Sequence, residues 1–204
     1  MSMANVIDTY KTLYAKDRKT WRAWLTKNHA KAPGIWFTYY KKGSNKPSVP
    51  YAEAVEEALC FGWIDATTRS LDEERYVQLF TPRKPKSGWS KINKERIKRM
   101  IDEGSMTPAG MEKIEEAKKN GTWNKFDAVD SLTMPPELTK ALAKSKKAKK
   151  FIEETISPSS KKQVLYWITS AKLEETRAKR IAIIIDHAKE GRLPPQFAWP
   201  AKKN

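Results

Sequence analysis

The run Met134-Pro135-Pro136 divides the chain into two parts with different hydrophobic patterns. Before it, short aromatic and β-branched runs alternate with segments of helical spacing, whereas every periodic segment after it is helical. Proline cannot continue a helix interior or a central strand, so two prolines in succession favour a boundary between folding units. A length of 204 residues is sufficient for one or two domains.

The part before this boundary predicts a small sheet with helices around it. Runs rich in aromatic and β-branched residues predict strands at 35–40, 63–69 and 75–81. The short connection between the last two favours antiparallel pairing. Helical spacing and capping signals predict helices from Asp17 to about residue 28, from 51 to Gly62, from 90 to 103, and from Thr107-Pro108 to about residue 120. The predicted fold class is therefore α+β, with a small antiparallel sheet packed with helices.

The part after the boundary predicts an all-helical C-terminal module. Its helices are expected at about 136–143, 146–155, 159–171 and 174–189. The whole chain is then expected to comprise an α+β domain at 1–125, a linker at 126–135, the helical module at 136–192 and a loose tail at 193–204, in which Phe197 and Trp199 could dock.

The basic charge of the chain is concentrated in two segments. Forty basic and 24 acidic side chains give a net charge of +16. Residues 81–100 carry eight basic and one acidic side chain, and residues 139–162 carry eight and two. The basic residues of the second segment are all lysine, and those from Lys140 to Lys150 have no interleaved aromatics, which is typical of a solvated helix face. The first cluster mixes arginine, lysine, tryptophan, serine and asparagine, and it is the better candidate for binding an anion.

Residues 81–93 leave a predicted strand and enter a predicted helix. The unpaired N–H groups at a helix N-terminus attract anions, so cations placed just ahead of it favour a phosphate or nucleotide-like site. The candidate ligand-binding residues here are Arg83, Lys84, Lys86, Trp89, Ser90 and Asn93. A structural role is the alternative: Ser90 could be only an N-cap and Trp89 only a lid on the core.

Trp63 and Asp65 are the other two candidate ligand-binding residues. Strand alternation places both side chains on one sheet face, where Asp65 could pair with Arg83 or Arg69. The alternative is a structural salt bridge or a turn hydrogen bond.

Several kinds of chemistry are not expected from this sequence. His29, His187 and Cys60 lack zinc spacing, so no metal is expected, and Cys60 is expected to be a small buried hydrophobe. No phosphate-binding glycine loop or nucleophile elbow occurs, so no catalytic residue or cofactor is assigned. The chain shows no signal peptide profile and no apolar run of about 20 residues, which favours a cytoplasmic protein without membrane insertion.

Several runs resemble the YdeI/OmpD-associated family, which bears the label bacteriocin-protection. In the first part these are 57–65, 80–87, Trp89-Ser90, Asn93 and 106–110, and in the helical part they are 156–158, 167–168, 171–172 and 175–177. The resemblance covers about residues 15–192 and implies a bacterial protein with the helical module of that family. It also suggests a remote relation of the first domain to the YjbR/CyaY-like fold, without implying iron binding.

Three functions remain open from the sequence. The favoured hypothesis is a non-catalytic binding protein whose partner is an anionic ligand, either phosphate-bearing or a nucleic acid, held at residues 81–93. The second is an enzyme acting on a phosphorylated or acidic metabolite, with Asp65 as base or orienting group. The third is a stress or bacteriocin-resistance factor that acts through protein partners. The oligomeric state is not predicted.

Overall fold

The computed structural model describes residues 10–197, and these form two compact units. Unit 1 extends to Lys125 and unit 2 starts at Phe126. Unit 1 holds a four-stranded sheet and helices, and unit 2 is helical in its described part, so the α+β class is confirmed. The predicted loose tail lies partly outside the described residues, and Trp199 lies wholly outside them.

The sheet of unit 1 has the strand order β1-β2-β4-β3. Its strands are β1 (Thr12–Tyr14), β2 (Ile35–Tyr40), β3 (Trp63–Ser70) and β4 (Arg75–Pro82). The pairs β2–β4 and β3–β4 are antiparallel, as predicted, with Ile35 opposite Phe80 and Trp63 opposite Pro82. The strand β1 was not predicted, and it pairs in parallel with β2.

Four helices of unit 1 follow the capping signals closely. They are α1 (Arg18–Asn28), α2 (Tyr51–Cys60), α3 (Lys91–Asp102) and α4 (Pro108–Lys119). Asp17 accepts the backbone N–H of Thr20 at the start of α1, and Thr107 accepts that of Gly110 at the start of α4. The turn after α2 ends at Gly62, whose φ of 74° is left-handed. Glycine is favoured at this position because this backbone conformation is unfavourable for other residues.

The core of unit 1 is unusually aromatic. It lies between the sheet and helices α1 to α4, and α2 contacts α1, β3, α3 and α4. The fully buried large side chains of this core include Trp21, Phe37, Tyr39, Trp63, Phe80 and Trp89. Aromatic rings bury much apolar area with few rotatable bonds, so the side chains at the edge of this core are held firmly.

Unit 2 has its own hydrophobic core. Its helices are α5 (Asp127–Asp130), α6 (Pro136–Ala143), α7 (Lys146–Lys150), α8 (Pro158–Thr169) and α9 (Glu174–Lys189), with a π-helical turn at Phe151–Thr155 after α7. Leu138, Leu142, Ile168 and Ile184 are fully buried in it. The predicted buried face of α9 is confirmed by Ile181, Ile184, Ile185 and Ala188.

Candidate functional site

Arg83 and Trp89 are brought together by the turn that follows β4. The guanidinium of Arg83 lies over the Trp89 ring, 3.5 Å from the ring centroid, and its Nη2 donates to the Gly88 carbonyl at 2.7 Å. Arg83 is 5% exposed and Trp89 is 2% exposed. The Trp89 ring belongs to the core, where it faces Arg83 and Trp123.

The charge of Arg83 is buried without a carboxylate partner. No carboxylate of the described residues lies within 4.0 Å of the guanidinium, and Nη1 is buried without a hydrogen bond. Burial lowers the pKa of Arg83 to about 10, and the more distant charge of Asp65 opposes this shift. Arg83 thus stays protonated at neutral pH, and it acts within the turn rather than at an open surface.

Ser90 and Asn93 act at the start of α3. Ser90 is the N-cap, since its side chain accepts the backbone N–H of Asn93, and the Asn93 side-chain oxygen accepts from Arg96 at 2.9 Å. Both side chains are half-buried. Their hydrogen bonds satisfy the helix end in the way expected of a structural cap.

Trp63 and Asp65 also have structural partners. Trp63 is 1% exposed and donates its indole N–H to the His29 carbonyl at 3.1 Å. Asp65 accepts a hydrogen bond of 2.7 Å from the Tyr51 hydroxyl. Burial raises the pKa of Tyr51 to about 12, and the hydrogen bond to Asp65 adds to this shift. The expected pairing of Asp65 with Arg83 is not formed, since no ion pair joins these two described residues.

Lys84 and Lys86 are the predicted residues that face solvent. Both are exposed, and neither side chain has a partner among the described residues. Their turn is fixed against residues 120–125, because Asn120 donates to the Pro85 carbonyl at 2.9 Å and Lys125 donates to the Lys86 carbonyl at 3.4 Å. The sequence-predicted loop is thus divided into a buried half and an exposed half.

Further lysines surround this turn, and one half-buried tryptophan orders two of them. The ammonium groups of Lys94 and Lys118 lie 5.2 and 6.0 Å from the ring centroid of Trp123. Together the turn and its neighbours form the basic surface, which we define as Lys84, Lys86, Lys94, Lys118 and Lys125. Sequence reasoning missed Trp123, and the signal that could have found it is the lysine-rich stretch that precedes it.

A buried charge network is the polar feature that sequence reasoning overlooked. Glu57 is 3% exposed and accepts Arg18 Nε and Arg22 Nη1, each at 2.6 Å. Its neighbour Glu56 pairs with Arg18 at 3.2 Å and with Arg99. Burial disfavours the charged Arg18, but the hydrogen bond and charge of Glu57 outweigh it and raise the pKa of Arg18. The network joins α1, α2 and α3, and its carboxylates are closed to a ligand.

Cys60 lies beside this network and is expected to be unreactive in the folded protein. Its thiol is fully buried, and burial, with the charge of Glu57, raises its pKa to about 11. Iodoacetamide at about pH 8 should therefore label Cys60 only after the protein is unfolded in denaturant. Rapid stoichiometric labelling of the native protein, detected by mass spectrometry, would show that the thiol is accessible and activated.

Metal clusters and membrane-spanning helices are both absent from the described part of the chain. No group of three or more metal-ligating side chains occurs in the described residues. Within residues 10–197, no helix has both the length and the apolar character needed to cross a membrane.

Comparisons with known proteins match the two parts of the chain separately. Residues 13–113 match the model of a domain of unknown function, DUF8412. No curated protein and no solved structure matches the chain, and no comparison supports the suggested relation to the YjbR/CyaY-like fold. Residues 131–191 match the family model described as bacteriocin-protection, YdeI or OmpD-associated, and this match supports the resemblance to that family.

Proposed function

We propose that this protein is a non-catalytic binding protein for a polyanion, which it contacts through the basic surface. The observation that carries the proposal is the docking of the turn at 84–86 onto residues 120–125, which places five lysines around one fixed turn. A cluster of cations on ordered backbone raises the local concentration of a polyanion and releases its counterions on binding.

The exposure of the lysines favours a nucleic acid backbone over a small phosphate ligand. Small ligands bind in concave sites that bury most of their surface. Here Lys94 is half-buried and the other lysines of the basic surface are exposed, while Arg83 and Trp89 are buried and have protein contacts. The faces of Trp123 are approached by Trp89, Lys94 and Lys118, which disfavours base stacking. We therefore propose sequence-independent contacts to phosphates.

Replacing Lys84 and Lys86 together by glutamine should weaken binding of a DNA duplex. Each lost phosphate contact means that about one counterion fewer is released from the DNA on binding. We therefore expect the Kd to rise about 30-fold at roughly 0.1 M salt. The measurement is fluorescence anisotropy of a labelled duplex. Neither ammonium group has a protein partner among the described residues, so the fold should be unchanged.

The matched control is Lys146→Gln with Lys147→Gln, which removes the same charge from exposed positions of α7 in unit 2. We expect this control to change the Kd by less than about threefold. Equal weakening by both double variants would contradict a local surface and would indicate a general effect of net charge.

A second candidate function follows from the family match of residues 131–191, whose description includes bacteriocin-protection. We propose that any such role is indirect, because a chain of net charge +16 would repel cationic peptides. A deletion strain should then be more sensitive to bacteriocins, and the purified protein should not bind the peptides. Unchanged sensitivity would argue against this candidate.

A further inference from the structure

A cavity outside the basic surface lies where β1 and β2 start and α1 ends. Its volume is about 460 Å³, which is within the range of small-molecule sites. The described lining residues include Tyr10, Lys11, Trp24, Asn28, Lys31 and Gly34. The lining thus combines aromatic rings, an amide and cations, and none of these residues belongs to the basic surface.

The aromatic wall of this cavity is held rigidly. The Trp24 ring stacks on the buried Trp21 ring, with centroids 5.4 Å apart and planes 17° apart. The Trp63 ring lies nearly perpendicular to the Trp24 ring, with centroids 5.8 Å apart. Trp21 is fixed in turn by a hydrogen bond from its indole N–H to the Ala54 carbonyl at 3.0 Å. A half-buried ring on such a support offers a flat surface at little cost in conformational entropy.

Another part of the lining depends on a glycine. A Cβ added at Gly34 would lie 2.8 Å from the Tyr10 ring, so the absence of a side chain at this position lets the ring pack against β2. Asn28 is held by its own side chain, which donates to the Trp24 carbonyl at 2.7 Å. The two aromatic side chains and the amide are therefore placed before any ligand binds.

The charges around the cavity have one sign. Lys11 and Lys31 are both exposed, and neither ammonium group has a partner among the described residues. None of the described lining residues carries a carboxylate. Unpaired cations beside an apolar aromatic surface would interact favourably with a ligand that has a flat ring and a negative group.

We propose that this cavity binds a small planar aromatic acid, with the ring against Trp24 and the carboxylate at Lys11 and Lys31. The site is separate from the basic surface in its residues and in its ligand class. The polyanion proposal can therefore fail without affecting this one, and the converse also holds.

The test compares indole-3-carboxylate with the uncharged indole-3-carboxamide by isothermal titration calorimetry on the full chain. We expect the carboxylate to bind about tenfold more tightly, as one charge-assisted hydrogen bond would give. Lys11→Gln with Lys31→Gln should abolish this preference, because the double variant weakens binding of the carboxylate and leaves binding of the carboxamide unchanged. Trp24→Leu should weaken binding of both compounds if the variant folds. If it does not fold, the lysine variants alone test the proposal.

The matched control is Lys19→Gln with Lys27→Gln, two exposed lysines of α1 that do not line the cavity. It should leave the preference for the carboxylate unchanged. The proposal is overturned if neither compound binds at about 1 mM, if both bind equally well, or if the two lysine double variants have the same effect.

Discussion

Glu57→Ala is expected to lower the free energy of unfolding by about 3 kcal/mol, because it removes the shared carboxylate of a buried ion network. Arg18 and Arg22 both donate to Glu57 at 2.6 Å, and they would then face each other without a counter-charge from this position. The arginines are about one-third exposed, which keeps the cost at the lower end for a broken buried pair. Urea unfolding followed by tryptophan fluorescence measures this loss.

Two further variants separate charge from packing at this position. Glu57→Gln keeps the shape of the side chain and one acceptor oxygen, so it should cost about half as much as the alanine variant. Glu115→Gln removes an exposed pair with Lys118 and should change stability by less than about 0.5 kcal/mol. A loss for Glu57→Ala no larger than that for Glu115→Gln would show that the network does not stabilise unit 1.

Gly110→Ala is expected to destabilise unit 1 by about 3 kcal/mol through a steric clash between α4 and the end of α2. An added Cβ would lie 2.4 Å from the Cys60 carbonyl oxygen, which is backbone. That oxygen also accepts a hydrogen bond of 2.6 Å from the hydroxyl of Thr107, the N-cap residue of α4. The oxygen therefore cannot move away without breaking this hydrogen bond. The same urea unfolding experiment applies.

Gly104→Ala serves as the comparison for this variant. Nothing lies within 4 Å of a Cβ at Gly104, but its φ of 67° is left-handed, so the cost should be only about 1 kcal/mol. If both alanine variants cost the same, the close approach of α4 to Cys60 does not limit stability, and the predicted clash is wrong.

Local signals in the sequence were sufficient to locate many elements of the fold. The caps at Asp17 and Thr107 and the glycine at 62 act through hydrogen bonds or backbone angles within a few residues. The strand β1 has only three residues, and it exists because Thr12 and its neighbours pair with β2 more than twenty positions away. A pattern this short contains no periodicity that could predict it.

Residue types in the candidate site were informative, but their burial was not readable from the sequence. A loop of arginine, lysine and tryptophan favours an anion site, yet the cation–π contact between Arg83 and Trp89 uses two of its members inside the core. Tertiary packing decides which cations of such a loop reach solvent. Lys84 and Lys86 do so because the turn is fixed through the carbonyl groups of residues 85 and 86.

The buried carboxylates were missed for a related reason. Adjacent glutamates such as Glu56 and Glu57 are typical of a solvated helix face. Their burial depends on the arginines of α1, which lie four residues apart on one helix face, and on Arg99 of α3. The spacing of Arg18 and Arg22 is the sequence signal that could have indicated buried ion pairs. The sequence does not show, however, that α1 packs on α2.

The most direct test of the polyanion proposal is the salt dependence of DNA binding. The logarithm of the affinity of the wild-type chain for a duplex should fall with the logarithm of salt concentration with a slope of about −4.5, since we propose that five lysines face the phosphates. Lys84→Gln with Lys86→Gln should reduce the magnitude of that slope to about 2.7, since three lysines then remain. A wild-type slope near zero, or the same slope in both proteins, would contradict the proposal that the basic surface binds nucleic acid.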